Sequence, residues 1–261
     1  MAKPEVGSIQ PVSNLYRNYV LMMLTIVYIF NFIDRQILVV LQESIKADLG
    51  LSDTQLGLLS GLSFALFYVS LGIPIARLAD RSNRRNIVAI SLTIWSAMTA
   101  VCGMAQNFLH LLLARIGVGV GEAGASPPSH AMISDYFPEN KRATALSIYS
   151  VGIYLGIMIG FPLGSYLDSQ FGWRIAFLAI GLPGILLAAF FFFTVKEPAR
   201  KNEIELNKEK ESFKDVCKYL LTKKSFVFLA LAAGFHSFAS YGIGNWLASF
   251  IIRLHLPTGG I

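Results

Sequence analysis

Residues 72–90 read GIPIARLADRSNRRNIVAI, and the charges in this run decide the fold. One apolar stretch ends in it and another begins. The turn between them holds Asp80 and four arginines, Arg77, Arg81, Arg84 and Arg85. Its flanks, at 53–79 and 85–105, are each long enough to cross a bilayer, which takes ~20 mainly apolar residues. Five more such stretches follow the same pattern, at 18–42, 108–134, 143–167, 173–195 and 224–252. With 54% hydrophobic and 15% charged residues, and 19 Phe among 261, the chain lies outside the soluble globular range. Lipid cannot satisfy loose backbone polar groups, so the spans are helices and the expected fold is an all-α polytopic membrane protein.

The residues before Leu15 are polar and carry Pro4 and Pro11, and the first apolar stretch is too long for a cleaved signal. The first span is therefore expected to stay as an anchor. Cys102 and Cys217 fall near opposite membrane faces in this topology, so no disulfide framework is expected.

Basic residues give the orientation. Lys3, Arg17, the arginines of the 72–90 run, Lys141, Arg142 and the run from Lys196 to Lys224 fall on one side; Lys46, Arg174 and Arg253 fall on the other. That places the N-terminus in the cytoplasm. The net charge of +6 then follows from topology and attraction to anionic lipid, with no nucleic-acid partner.

Residues 196–224, KEPARKNEIELNKEKESFKDVCKYLLTKK, mix both charge signs and read as a linker between two bundles. Phe213, Val216, Tyr219 and Leu220 recur at helical spacing, which predicts a short amphipathic helix on the membrane surface. After the linker the opening pattern begins again. ADLGLSDTQLGLL (47–59) has a counterpart in IRLHLPTGGI (252–261), as expected of two repeated halves. The expected organisation is a cytoplasmic segment at 1–17, a six-helix bundle at 18–195, a linker with its amphipathic helix at 196–223, and helix 7 with the start of helix 8 at 224–261. On this reading the chain is part of a longer protein.

The segment ARLADRSNRR resembles the G-x-L-A-D-R-x-G-R-R signature of the major facilitator superfamily, with Ala76 and Asn83 in place of its glycines. Asn tolerates a left-handed backbone, so that turn is expected to survive at Asn83. LLLARIGVGVGEAG, FPENKRATAL, GIYLGIMIGFPLGS and FGWRIAF follow in the family's order. NFIDR (31–35) with RIGVGVGEAGASPPSHAMISDYF (115–137) resembles the spinster-like branch, which exports lysophospholipids or sphingoid phosphates. The resemblance implies a twelve-helix transporter working by alternating access. It also implies a cytoplasmic latch of Asp80, Arg84 and Arg85 against Asp135, with Arg142 nearby. The competing reading makes this run a solvated positive-inside signal.

Charged groups at membrane depth are costly and mark function. They are Asp34 and Arg35 on the first span and Arg115 and Glu122 on the fourth. Arg115 and Glu122, seven apart, are about 700° of helix rotation from each other and so project from nearly one face. That face is expected to be the one covered by the second bundle. Asn31 precedes Asp34 by one turn. Arg115 cannot release its proton, so a carboxylate beside it can be a charge-paired anion, or a neutral acid once another anion takes the arginine. Asp34 and Glu122 are thus candidate proton-coupling residues, and Arg115, Asn31 and Arg35 candidate substrate-binding residues. Arg35 is expected to orient Asp34. The alternative is a fixed structural pair between Arg115 and Glu122.

Gly152, Gly156, Gly160 and Gly164, with Pro162, partly resemble the family's antiporter motif and equally suit a close-packing stripe. Ser126-Pro127-Pro128 breaks the fourth span beyond Glu122. The histidines lack metal-ligand spacing, and no phosphate-cradling loop or nucleophile–base pair is present. The chain is therefore read as a non-enzyme with no cofactor and no metal. The expected function is proton-coupled secondary transport of an amphipathic anion such as a lysolipid, in a bacterial inner membrane, with a monomer of the complete chain as the functional unit. Carriage of soluble organic anions or drugs on the same fold is the alternative. An intramembrane lipid enzyme or a non-transporting fragment is the remoter one.

Overall fold

A computed structural model of the chain describes residues 13–199 and 213–255. Among these residues every regular element is helical, and seven helices are long and apolar enough to cross a membrane. Span one is α1 (Asn14–Leu49), started by the Ser13 hydroxyl accepting from the Tyr16 amide and closed by left-handed Gly50. Span two, Asp53–Arg81, joins α2 (Asp53–Gly57), a π-helical turn (Leu58–Leu62) and α3 (Ser63–Arg81). Ser52 and Gln55 form a capping box at its start, satisfying two orphan donors reciprocally.

α4 (Arg84–Cys102) is the third span. Asn83 does not take the left-handed conformation expected of it: at φ −67° its side chain accepts from the Asn86 amide and caps α4. An N-cap oxygen satisfies an otherwise orphaned donor, which outweighs a strained turn. The fourth span, Phe108–Tyr136, is α5 (Phe108–Glu122) and α6 (Ser126–Tyr136), interrupted after Glu122 as Ser126-Pro127-Pro128 suggested. α7 (Glu139–Phe171), α8 (Trp173–Thr194) and α10 (Lys224–His255) complete the spans. Gly172, at φ 81°, makes the tight corner between α7 and α8.

The chain divides into two compact units, Met1–Ala199 and Arg200–Ile261. In the first, α1 packs mainly on α7, α4 on α8 and α5, and α3 on α5. The glycine stripe of α7 explains the closest of these contacts. A Cβ at Gly156 would stand 2.7 Å from the Ile29 carbonyl oxygen, and one at Gly152 3.2 Å from that of Thr25. The stripe therefore packs against α1 backbone, the close approach that small residues permit between membrane helices. In the second unit, α9 (Phe213–Thr222) and α10 pack on each other. α9 spans all four residues of the predicted amphipathic helix, Phe213, Val216, Tyr219 and Leu220. Residues 1–12 of the predicted N-terminal segment, linker residues 200–212 and the predicted start of helix 8 lie outside the described residues.

Candidate functional site

α1 brings Asn31, Asp34 and Arg35 to one level, because residues three and four apart share a helix face. α5 supplies Arg115 and Glu122, and α4 supplies Thr99. The ion pairs run between α1 and α5 in two crossed couples. Arg115 Nη1 stands 3.5 Å from Asp34 Oδ1, and Arg35 Nε 2.6 Å from Glu122 Oε2. Arg35 thus pairs with Glu122, and the fixed Arg115–Glu122 pair is not what forms. Two residues that project from one helix face each find a closer partner on the helix opposite.

Their burial also differs from expectation. Asp34 and Arg115 are 2% exposed and Glu122 1%. The group is enclosed within the first unit instead of lying open on one of its outer faces. Asp34 takes a second bond from the Thr99 hydroxyl, itself fully buried. Of the four charged side chains, only that of Arg35 keeps notable exposure, 14%. Phe32, Phe64 and Tyr68 surround its guanidinium, with ring centres 5.1, 5.1 and 5.0 Å from Cζ. Desolvated cation–π contacts of this kind hold a guanidinium on the faces of aromatic rings.

Several buried polar atoms here have no hydrogen-bond partner among the described residues: both amide atoms of Asn31, Arg115 Nε and Glu122 Oε1. Native interiors leave few such atoms, and each calls for an explanation such as a ligand or water. The two pairs also differ in strength. Arg35–Glu122 is at the length of a charge-assisted bond, while Arg115–Asp34 is longer than the ~2.7–2.9 Å of a strong one. Protonating Asp34 would remove the charge that Arg115 faces and leave the Thr99 contact available.

A second cluster lies where α3, α4, α6 and α8 end together. Arg84, 5% exposed, spans Asp135 Oδ2 at 2.6 Å and Glu197 Oε1 at 2.7 Å. Glu197 Oε2 accepts from the Arg85 amide at 2.8 Å, the first turn of α4, where a carboxylate also meets the helix dipole. The Arg85 guanidinium turns instead to Asn86 Oδ1, at 2.7 Å, and lies over the Phe192 ring. Arg142 Nε donates to the Phe137 carbonyl at 3.3 Å. Asp80 is exposed in the last turn of α3, and Asp135 is held by Arg84. Sequence reasoning missed Glu197, read as linker charge, although its place just after the sixth span was a usable signal. Thr99 and Phe64 carried no such signal, being ordinary residues of apolar helices.

The sequence profile of the Major Facilitator Superfamily matches residues 24–261. The chain belongs to that superfamily. It is thus a multi-pass membrane protein whose relatives are transporters. Its fold superposes on a bacterial homologue of the human lysosomal transporter Spinster, crystallised inward-facing and unoccupied. The TM-score is 0.81 at 39% identity, over 94% of this chain and 57% of that one. An MFS-type efflux pump of Mycolicibacterium smegmatis is 33% identical, over 88% of this chain and 53% of the pump. A probable L-galactonate transporter of Escherichia coli is 29% identical, over 80% of this chain and 46% of the relative. A sphingosine-1-phosphate transporter of Danio rerio is also 29% identical, over 86% and 46% respectively. The chain spans about half the length of the curated relatives it matches.

Proposed function

We propose that the complete transporter containing this chain is a proton-coupled secondary carrier of the spinster-like branch, moving an amphipathic anion such as a lysophospholipid or sphingoid phosphate by alternating access. The observation that carries this reading is the enclosed pair of crossed ion bonds, Arg115–Asp34 and Arg35–Glu122, at membrane depth. A static lock would need one pair. Two arginines facing two carboxylates, with orphaned atoms on Asn31, Arg115 and Glu122, leave bonding capacity for a substrate anion.

In this reading Asp34 carries the coupled proton and Glu122 is the second candidate for it. When Asp34 is neutral, the guanidinium fork of Arg115 turns to the substrate's anionic group, which it fits in bidentate fashion. Arg35 and Asn31 line the same site. Arg84, Arg85, Asp135 and Arg142, with Glu197, form the latch at the cytoplasmic ends of the helices, and Asp80 borders it. The N-terminus is cytoplasmic and the membrane is a bacterial inner membrane. Residues 18–195 form the first bundle, 196–223 the linker, and 224–261 begin the second. No residue acts as a chemical catalyst, and the working unit is a monomer of the full chain.

The relation to a probable L-galactonate transporter favours a second reading on the same fold, a carrier of soluble organic anions. Proteoliposomes containing the full transporter separate the two. Sphingosine-1-phosphate and lysophosphatidic acid are expected to be taken up with an imposed pH gradient, and galactonate is not. Uptake of galactonate alone would select the second reading, and uptake indifferent to pH would remove proton coupling. In the same vesicles Asp34→Asn is expected to bind substrate and to lose accumulation driven by the gradient.

A further inference from the structure

Phe64 stands where three separate observations meet. Its ring lies 5.1 Å from the guanidinium carbon of Arg35 and 5.7 Å from that of Arg115, so a single aromatic side chain touches the cation of each ion pair. It is also pressed onto α5 at a glycine: a Cβ at Gly119 would come 3.1 Å from the Phe64 carbonyl oxygen and 3.4 Å from its ring. Gly119 follows Arg115 by four residues and precedes Glu122 by three, so both charged side chains flank the place where the ring docks.

The third observation concerns register. The π-helical turn Leu58–Leu62 immediately precedes α3, and the Ser63 hydroxyl donates back to the Leu58 carbonyl at 2.5 Å. A π turn inserts a residue into the helical count and so rotates every later side chain by about 100°. Without it Phe64 would not face α5 at this level. Tyr68, one turn on, stacks against Phe64 at 5.5 Å with a 19° tilt and reaches Arg35 as well.

We infer that Phe64 is a positioning residue of the proposed coupling site, holding Arg35 and Arg115 on separate carboxylates so that neutralising Asp34 frees Arg115 alone. The inference rests on the function proposed above and deepens it. The groups facing Asp34 are Arg35 from its own helix, Thr99 and Cys102 from α4, and Arg115 and Glu122 from α5. Either arginine therefore has an alternative carboxylate within reach of its long side chain. An aromatic ring touching both occupies space that a swapping guanidinium would need, and it excludes the water that would loosen both pairs. If the arginines exchanged partners, the charge released by protonation would be compensated internally, and substrate and proton would no longer be linked.

The test uses the full transporter in proteoliposomes with sphingosine-1-phosphate as the probe. Phe64→Leu fills the site without an aromatic face, while Phe64→Tyr keeps that face. Accumulation at a fixed pH gradient is expected to fall about ten-fold in Phe64→Leu, within the usual range of coupling between sites, while exchange without a gradient changes by no more than about three-fold. Phe64→Tyr is expected to restore accumulation, and Gly119→Ala, which pushes on the ring from α5, to lie between. Where Phe64→Leu does not yield folded protein, Phe64→Met and Gly119→Ala carry the same expected order. Parental accumulation by Phe64→Leu beside an uncoupled Asp34→Asn control overturns the inference and leaves the proposed function standing. Equal loss in Leu and Tyr variants also overturns it, since the effect would then be packing alone. Parental accumulation by Asp34→Asn overturns the inference together with the coupling role of Asp34, and leaves Glu122 as the group that carries the proton.

Discussion

Removing Arg35 is expected to cost far more stability than neutralising the carboxylate it holds. The Glu122 side chain is 0% exposed and its Oε1 already has no hydrogen-bond partner among the described residues, so Arg35→Ala strands an unpaired carboxylate in the protein interior. Breaking a buried pair this way costs about 3–5 kcal/mol. Glu122→Gln leaves the opposite situation. The guanidinium keeps three aromatic neighbours within 5.1 Å and 14% exposure, and the amide still offers an acceptor. That loss is expected at about 1–2 kcal/mol, the size of one charged hydrogen bond. The double variant removes both charges and, on these figures, should fall well short of the sum, giving a coupling of about 2 kcal/mol or more. Midpoints of thermal unfolding in one detergent at one scan rate, compared across the four proteins, measure it. Additivity within about 0.5 kcal/mol would mean that the two groups do not interact and would refute the pairing.

Arg115→Lys is expected to weaken substrate binding several-fold despite the retained charge, because an ammonium lacks the planar fork; binding isotherms on the full transporter check it. Arg84→Lys should lower the unfolding midpoint by the equivalent of about 1–2 kcal/mol, since a single ammonium cannot span Asp135 and Glu197 as the guanidinium does. An unchanged melting curve would argue that this cluster is solvated. Gly156→Ala should cost about 1–3 kcal/mol, because its Cβ would meet the Ile29 carbonyl at 2.7 Å, and backbone cannot move aside. Gly164→Ala meets only the flexible Ile37 Cδ1, at 2.8 Å, and should cost less; the reverse order would contradict the α1–α7 packing.

The spans were legible because lipid imposes a strong rule on sequence, and length with hydropathy suffices to find them. The break after Glu122 was legible too, since two consecutive prolines remove two backbone donors and clash with the preceding turn in a helix interior. Pairing was not. Helical spacing tells which residues leave one helix together, and it correctly groups Arg115 with Glu122, but it holds no information about which carboxylate on α1 each group meets. That choice depends on the rotation of α1 against α5. This rotation depends in turn on glycines such as Gly156, whose role is to contribute no side chain, and on a π turn at Leu58–Leu62 that no residue type announces. Asn83 shows a related limit: the residue tolerates a left-handed turn and caps helices equally well, and the neighbouring Asn86 amide decided between them.

The same geometry bears on why α1 holds three of the site residues while packing so closely on α7. Along its length α1 meets Gly152, Gly156 and Gly160 through its backbone and Gly164 through side chains, so most of its seat against α7 is backbone contact, which has little slack. Its opposite commitments, Asp34 to Arg115 and Arg35 to Glu122, are electrostatic and depend on charge. In the mechanism proposed above, a proton taken up at Asp34 would act on the side of α1 that faces α5. The facing helix α5 ends at Glu122, where the fourth span is broken. α6 resumes at Ser126 and carries Asp135, the partner of Arg84. The buried pairs and the cluster at the helix ends thus share one interrupted span, Phe108–Tyr136.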